Sequence, residues 1–345
     1  MQASHHRYLF YVTLSYSFSI LRPIAEKILA RGGEVAWFVP QGAEAQAFLL
    51  PEDNQLLDVK AVKHYQPDAV LAPGNYIPDF FPGIKVQVFH GFDSGKKNKF
   101  NVRGFFDLYC TQGPNISKAF NNINDGTYEV VETGWSKLDA LFTLHPETKS
   151  YQSEQPVIFY GPTFSPKLTS TYSLLPYIEQ LSKTQKWQWL VKLHPKATNE
   201  EIAMYKALEN DNLRFIETAE IIPLLQAADV LLSDTSSILA EFALQNKPVV
   251  AFNNRRPQPW MINFTQAEQL SDKITLALEN NEQQLKLINQ HCNTIHPMRD
   301  GNSSDRVVDA VEALIFKGVT HLKKKPLNLI RRLKMRKKLK YYRWS

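Results

Sequence analysis

Cysteine is nearly absent: Cys110 and Cys292 are the only two among 345 residues, and they lie far apart. That excludes a disulfide framework and a cysteine-built metal site, and fits the reduced thiols of a cytoplasmic protein. Glycine is sparse as well, at 14 residues. None of it forms a GxGxxG after the first strand-like segment or a GxxxxGK[ST] anywhere, so dinucleotide and Walker-type phosphate loops are excluded. No His, Asp and Glu residues share a metal-ligand spacing, and no cofactor is expected. Long apolar runs are missing too. Residues 8–14 are too few to span a bilayer and precede no small-residue cleavage site, so they read as a buried strand. Acid is missing from one stretch only: residues 323–345 hold 11 of the 40 Lys and Arg and no Asp or Glu. The remaining 29 cations face 34 acids. The net charge of +6 therefore combines a mildly acidic body with a strongly basic tail.

Hydrophobic residues at 43% and charged residues at 21% are those of a folded chain, and 345 residues exceed one typical core. Strand-like and helix-like segments alternate through the first half: strands near 8–14, 35–39, 69–72, 85–89, 106–111 and 128–132, helices near 20–31, 43–50, 114–120 and from 136. Residues 145–156 are polar and aperiodic with two prolines, and read as a linker. The rhythm resumes with strands near 157–160, 189–192, 214–216, 230–232 and 248–252. Helices lie between them, and two more near 267–280 and 304–316 close the second half. This βαβα order predicts α/β architecture with parallel, doubly wound sheets. Two Rossmann-like domains (1–145 and 146–318) with a cleft between them make the arrangement called GT-B, and 319–345 form a basic amphipathic tail. In such sheets ligands bind at the carboxyl ends of strands.

Several polar clusters fall there. The run Ser233-Asp234-Thr235-Ser236-Ser237 follows an apolar strand and precedes a helical pattern that includes Glu241. One of its first three residues would cap the helix, leaving Ser236 and Ser237 in the first turn. A helix N-terminus carries roughly +0.5 charge and unpaired donors, so it suits a phosphate. An ordinary capped helix explains the same pattern. Lys192-Leu193-His194-Pro195-Lys196 sets two cations and an imidazole at another strand end, a phosphate grip or merely a proline-terminated strand. His90-Gly91 follows a strand and offers a general base for a hydroxyl near neutral pH, or a solvated turn histidine. Gly134, Ser136 and Lys137 open a further helix-like segment, Thr163 follows a Gly-Pro turn, and Ser303, Ser304 and Arg306 precede the last helix of the second half. Each is weak alone.

Taken in order, the motifs resemble one family. His90-Gly91, Gly134-x-x-Lys137-x-Asp139, Gly161-Pro162-Thr163-Phe164, Lys192-Leu193-His194-Pro195, Ser233-Asp234-Thr235-Ser236-Ser237 and Asp300-Gly301-x-Ser303-Ser304-x-Arg306 are similar to the CDP-glycerol glycerophosphotransferases of teichoic acid priming and polymerisation. The likeness covers about 85–316. It implies a GT-B enzyme that moves a polyol phosphate, glycerol phosphate first, from a CDP-activated donor to an acceptor hydroxyl in surface-glycan synthesis and releases CMP. By the same resemblance His90 is the base, and His194, the second catalytic position, contacts the donor diphosphate. Ser236 and Ser237 bind phosphate, and Glu241 meets the ribose. The family's usual Trp-His-Gly-Thr-Pro-Leu-Lys is here Phe89-His90-Gly91-Phe92-Asp93-Ser94-Gly95, and its Asp-Tyr-Ser-Ser carries Thr235.

The tail mixes cations with Leu329, Ile330, Leu333 and Tyr341, and suits an anionic membrane surface. The expected partners are a CDP-linked or other nucleotide donor, a glycan or lipid-linked acceptor, and that membrane, on the cytoplasmic inner face of the cell; nucleic acid is not expected. Two other readings stay open. One is a GT-B transferase or epimerase using a nucleotide sugar, and the other is a non-catalytic nucleotide- or glycan-binding protein.

Overall fold

The computed structural model describes residues 5–89, 91–92, 100–143, 145–218, 220–279 and 281–342. The chain divides into two compact units, 1–139 with 295–345, and 140–294.

The first unit holds a six-stranded parallel sheet in the order β2-β1-β3-β4-β5-β6. Its strands are β1 (Arg7–Tyr11), β2 (Glu34–Phe38), β3 (Ala69–Ala72), β4 (Ile84–Val88), β5 (Leu108–Thr111) and β6 (Glu129–Glu132). The central strands are buried on both faces, which is why they read as unbroken apolar runs. Helix α1 (Ser17–Ala30) buries Ile20, Leu21, Ile24 and Ile28 at helical spacing and ends at Gly32, where φ is +82°. Helices α2 (Val59–Tyr65) and α3 (Pro114–Asn122) complete the first pass. Sequence periodicity misses α2, a seven-residue helix capped by Asp58, whose side chain accepts from Ala61 N.

The second unit repeats the plan in the order β12-β11-β10-β7-β8-β9, again all parallel. It contains β7 (Val157–Tyr160), α4 (Thr171–Thr184), β8 (Gln188–Val191), α5 (Asn199–Lys206), β9 (Leu213–Phe215), α6 (Ile222–Ala227), β10 (Val230–Ser233), α7 (Ile238–Ala243), β11 (Val249–Phe252), β12 (Ile262–Phe264), α8 (Leu270–Leu278) and α9 (Glu282–Ile295). Its core runs through Ile158, Trp189, Tyr205, Leu232 and Val250. The sequence pattern shows neither β12 nor α9.

The domain boundaries differ from those expected. The expected linker is folded into the second unit. The Gln226 carboxamide on α6 accepts from His145 N at 2.9 Å and Thr148 Oγ1 at 2.7 Å, and donates to the carbonyls of Ala140, Leu141 and Thr143. The closing helix α10 (Ser303–Lys317) belongs to the first unit, not the second. There Lys27 and Arg31 of α1 bind Asp305 at 2.7 and 2.8 Å, and Arg31 binds Asp309 at 2.6 Å.

The tail is likewise part of the first unit. Helix α11 (Leu329–Lys338) is tied down by Asn328 to Arg103 O, by Arg332 to Asp79 at 3.4 Å, and by Tyr11 OH to Met335 Sδ at 3.7 Å. Tyr341 stacks on Phe80 at 4.8 Å, while Leu329, Ile330 and Leu333 stay exposed. The anticipated single apolar face is thus split, because the aromatic end is used for packing. Among the described residues no helix is long and apolar enough to cross a membrane.

Candidate functional site

Within the second unit the strand order reverses between β7 and β10, the place where open α/β sheets leave a crevice at their carboxyl ends. Leu232 of β10 pairs with Tyr160 of β7, which pairs with Val191 of β8. Parallel pairing therefore brings three exits side by side: Gly161–Phe164, Lys192–Lys196 and Asp234–Ser237. The fold joins here what the sequence separates by some seventy residues.

Not all of these residues face a ligand. Asp234 is fully buried. Its carboxylate accepts from Thr163 N at 3.0 Å and from Ser170 N and Oγ, both at 2.9 Å. Burial raises its pKa above the ordinary carboxylate value, although those donors oppose the rise. Asp234 is therefore a rivet holding the β7 exit loop, and its negative charge would repel a phosphate. Ser233 is also committed, donating to Gly161 O at 2.6 Å. The expected cap changes in consequence. Ser233 stays in the strand, Asp234 turns to the loop, and α7 begins only at Ile238, with Ser237 in the N-cap position and no side-chain cap. Ser236 Oγ accepts from Ile238 N at a long 3.4 Å. Thr235 Oγ1 accepts from Arg255 N at 3.1 Å, and Glu241, one turn into α7, is buried.

The cationic side lies at the β8 exit. Lys192 is half-buried and its pKa is lowered by burial. His194 is exposed, with its ring 4.3 Å from Phe164. Its Nδ1 accepts from Lys196 N at 3.1 Å, which makes Nε2 the protonated nitrogen of the neutral ring. Burial first, then Lys192 and Lys196, lowers its pKa. A neutral imidazole beside two ammonium groups is an anion-ready arrangement, since an anion relieves the repulsion that keeps the proton off.

Sequence reasoning missed the β11 exit. Asn253 adopts φ +49°, Asn254 Nδ2 donates to Asp234 O at 2.8 Å, and the exposed Arg255 and Arg256 follow beside Thr235. The polar run Asn253-Asn254-Arg255-Arg256 directly after the apolar residues 249–252 is the signal that would have found them.

The first-unit candidates prove largely structural. Gly134 has φ +85°, and a Cβ there would clash with Ser303 Oγ, so this glycine serves a turn and a close approach. Ser136 is buried and donates to Ile20 O at 2.7 Å. Lys137 lies 5.0 Å over the Trp135 ring. The N-terminus of α10 already has its anion: the Asp139 carboxylate accepts from Ser303 N at 2.8 Å and Ser304 N at 2.7 Å. Arg306 is paired with Asp300. Two internal carboxylates, Asp139 and Asp300, thus occupy the donors that Ser303, Ser304 and Arg306 were expected to offer a phosphate; these three belong to the first unit, and Lys192 and His194 to the second. His90 lies outside the described residues. Its neighbour Phe92 packs edge-on at 5.0 Å to Trp135 and 6.0 Å to His296.

His296, also missed, is fully buried, and its Nε2 accepts from Trp135 N at 2.9 Å. Burial, with a smaller push from Arg306, lowers its pKa to about 4. The folded state keeps this ring neutral while the unfolded chain takes a proton below about 6.5. Stability is therefore unaffected above that pH and falls as pH drops from 6.5 to 4, by about 3 kcal/mol at most. Urea midpoints at pH 7 and 4.5 check this. His296→Gln, which can still accept the Trp135 N–H, should lose less between the two pH values than the parent. An equal loss would remove His296 as the cause.

Residues 87–256, from β4 through the β11 exit, match the family model described as CDP-glycerol:poly(glycerophosphate) glycerophosphotransferase. The teichoic acid glycerol-phosphate primase of Bacillus subtilis (strain 168) is 24% identical over 315 residues, covering 78% of this chain and 80% of that protein. The chain is thus similar to the CDP-glycerol glycerophosphotransferases, and the matched stretch includes all three strand exits of the second unit. A second primase, from Bacillus spizizenii, is 30% identical over 154 residues, 43% of this chain and 36% of that one. Solved structures agree in fold. The wall teichoic acid polymerase TagF superimposes with a TM-score of 0.64 at 12% identity, over 92% of this chain and 90% of that one. The UDP-GlcNAc 2-epimerase of Neisseria meningitidis superimposes with a TM-score of 0.64 at 14% identity, over 89% and 100%. The GT-B expectation is met in fold, and the matched family model and both primases are of the glycerophosphotransferase type.

Proposed function

We propose that this chain transfers glycerol phosphate from CDP-glycerol to an acceptor hydroxyl in teichoic-acid-type polymer synthesis, with release of CMP. The observation that carries the reading is the meeting of three strand exits in the second unit. Lys192 and His194 leave β8 next to Thr163 from β7 and Thr235, Ser236 and Ser237 from β10. The family match spans all of them. Lys192 neutralises charge on the donor diphosphate, the His194 Nε2–H donates to it, and Arg255 and Arg256 add cations at the rim. Glu241 is kept as the ribose contact.

In the transfer, His90 takes the proton from the acceptor hydroxyl. The freed oxygen forms a bond to the distal phosphorus, and the P–O bond to the CMP phosphate breaks in line. Negative charge grows on the departing CMP oxygen, where Lys192 and His194 stabilise it. Leu329, Ile330 and Leu333, exposed among the cations of α11, suit work at an anionic membrane surface on the inner face of the cell.

The epimerase likeness makes the donor the point to test. CDP-glycerol, CDP-ribitol and UDP-GlcNAc are each titrated while the melting temperature is read. A donor at 100 times its Kd stabilises by about 2.7 kcal/mol. CDP-glycerol should give the largest rise. A rise with UDP-GlcNAc alone would replace this reading with nucleotide-sugar chemistry.

A further inference from the structure

A cavity of about 660 Å³ opens in the first unit at the amino ends of its strands, a size that suits a small-molecule ligand. Arg7 opens β1, Asp68 precedes β3, Lys85 stands at the start of β4 and Asp107 precedes β5. The remaining wall comes from the C-terminal segment, through Lys325 and through Arg332 of α11. Ligands of the reaction belong at the carboxyl ends of such sheets, so this opening has another use.

The charges around it are only partly matched. Asp107 is fully engaged, accepting from Lys85 N at 2.6 Å and from Lys325 Nζ. Asp79 pairs with Arg332 at 3.4 Å through one oxygen, while the other, Oδ1, is buried and accepts no hydrogen bond. The Lys85 ammonium carries three donors and is buried, yet among the described residues it hydrogen-bonds only Gly83 O. Burial pushes its pKa down to about 8; Asp107 and Asp79 oppose that push and Lys325 adds to it. Among the described residues no carboxylate pairs with the Arg7 guanidinium, which lies 5.9 Å over the Tyr65 ring.

Two cations short of a partner call for an anion, and Asp79 Oδ1 calls for a donor on the same ligand. Inorganic phosphate carries its donor on the charged group itself, which would face the Asp79 carboxylate. An ammonium-bearing ligand would set a further cation beside Lys85 and Arg332. A hydroxyl supplies the donor without charge. We propose that this cavity binds a small phosphorylated polyol, its phosphate held by Arg7 and Lys85 and a hydroxyl donating to Asp79. The ligand then spans the sheet and the segment that carries Arg332, so occupancy fastens α11 to the strands. The assignment goes beyond the transfer reaction proposed above and does not rest on it.

Calorimetric titration of the full chain with glycerol 3-phosphate, glycerol and inorganic phosphate tests it. Glycerol 3-phosphate should bind at least ~10-fold more tightly than either fragment, because only it meets both needs. Excess CDP-glycerol should leave that affinity unchanged, since the residues proposed for the donor diphosphate belong to the second unit and every residue lining this cavity to the first. Arg7→Gln and Lys85→Met should each weaken glycerol 3-phosphate and inorganic phosphate alike, by at least ~10-fold. Asp79→Ala should instead close the gap between the two ligands, because the hydroxyl loses its acceptor. Should the buried Lys85→Met change unfold the chain, Arg7→Gln, at a half-buried position, decides alone. Glycerol 3-phosphate bound no more tightly than inorganic phosphate, displaced by CDP-glycerol, or held equally by the parent and Arg7→Gln overturns the assignment. If CDP-glycerol fails to bind the parent while glycerol 3-phosphate behaves as expected, the transferase reading falls and this site stands.

Discussion

Replacing His90 with alanine is expected to cost at least ~100-fold in turnover while the dissociation constant for CDP-glycerol stays nearly unchanged, because a general base acts in the transition state. Replacing His194 with alanine should behave differently. In the proposed donor site its Nε2–H meets the diphosphate in the ground state and more strongly as CMP leaves, so both donor affinity and turnover should fall, turnover on the order of 100-fold. The two histidines are thus separated by donor binding rather than by activity. The pH dependence has a definite sign. Burial, Lys192 and Lys196 hold the free His194 below its ordinary pKa, and a bound diphosphate favours the protonated ring. Binding therefore takes up a proton, and donor affinity should rise as pH falls through the range between the bound and free values. The diphosphate of a CDP-polyol is esterified at both ends and does not titrate near neutrality, so the trend belongs to the protein. Calorimetry between pH 8 and 6 reads it. The parent should show the slope and His194→Gln a flat line. A His90→Ala protein that bound the donor poorly but turned over normally would sink the base assignment.

The second large effect is on stability. Asp234→Ala leaves Thr163 N, Ser170 N and Ser170 Oγ facing a dry space that the carboxylate filled. Each unpaired buried donor costs about 1–3 kcal/mol, and losing one partner of a buried charged network costs about 3–5 kcal/mol in all. Asp234→Asn should cost less. Its oxygen can still accept from Thr163 N, and Ser170 Oγ can turn to accept from the new amide, so only Ser170 N stays unmet. The expected order in urea midpoint is parent, then Asn, then Ala. If Asp234→Ala unfolds like the parent and loses only donor affinity, Asp234 is a ligand group and the rivet assignment is wrong.

The contrast between Asp234 and Lys192 shows how far residue types in order can be read. Both sit at a strand's carboxyl end in the same crevice, and the sequence pattern assigns both to phosphate. Only the packed structure shows that Asp234 points back at the β7 loop, with its charge met by backbone N–H groups, while Lys192 and His194 remain beside the opening. Ser303 and Ser304 carry the same lesson. Their helix N-terminus suits an anion, as expected, but the anion is Asp139, 164 residues away in sequence. Local pattern identifies a donor and cannot say which acceptor the fold will bring to it.

What the sequence determined by itself was the kind of fold and the order of its motifs. Buried parallel strands must be apolar along their whole length, and polar residues concentrate where strands end, so both features are written locally. The allocation of segments was decided only by tertiary structure. Residues 295–317 continue the second half's rhythm, but their apolar face and the acids Asp305 and Asp309 fit α1, which carries Lys27 and Arg31. The basic tail reads as a free amphipathic end, yet Met335, Arg336 and Tyr341 find Tyr11 and Phe80, more than 250 residues earlier in the chain. Long-range complementarity of this kind depends on surfaces that exist only once each sheet has formed.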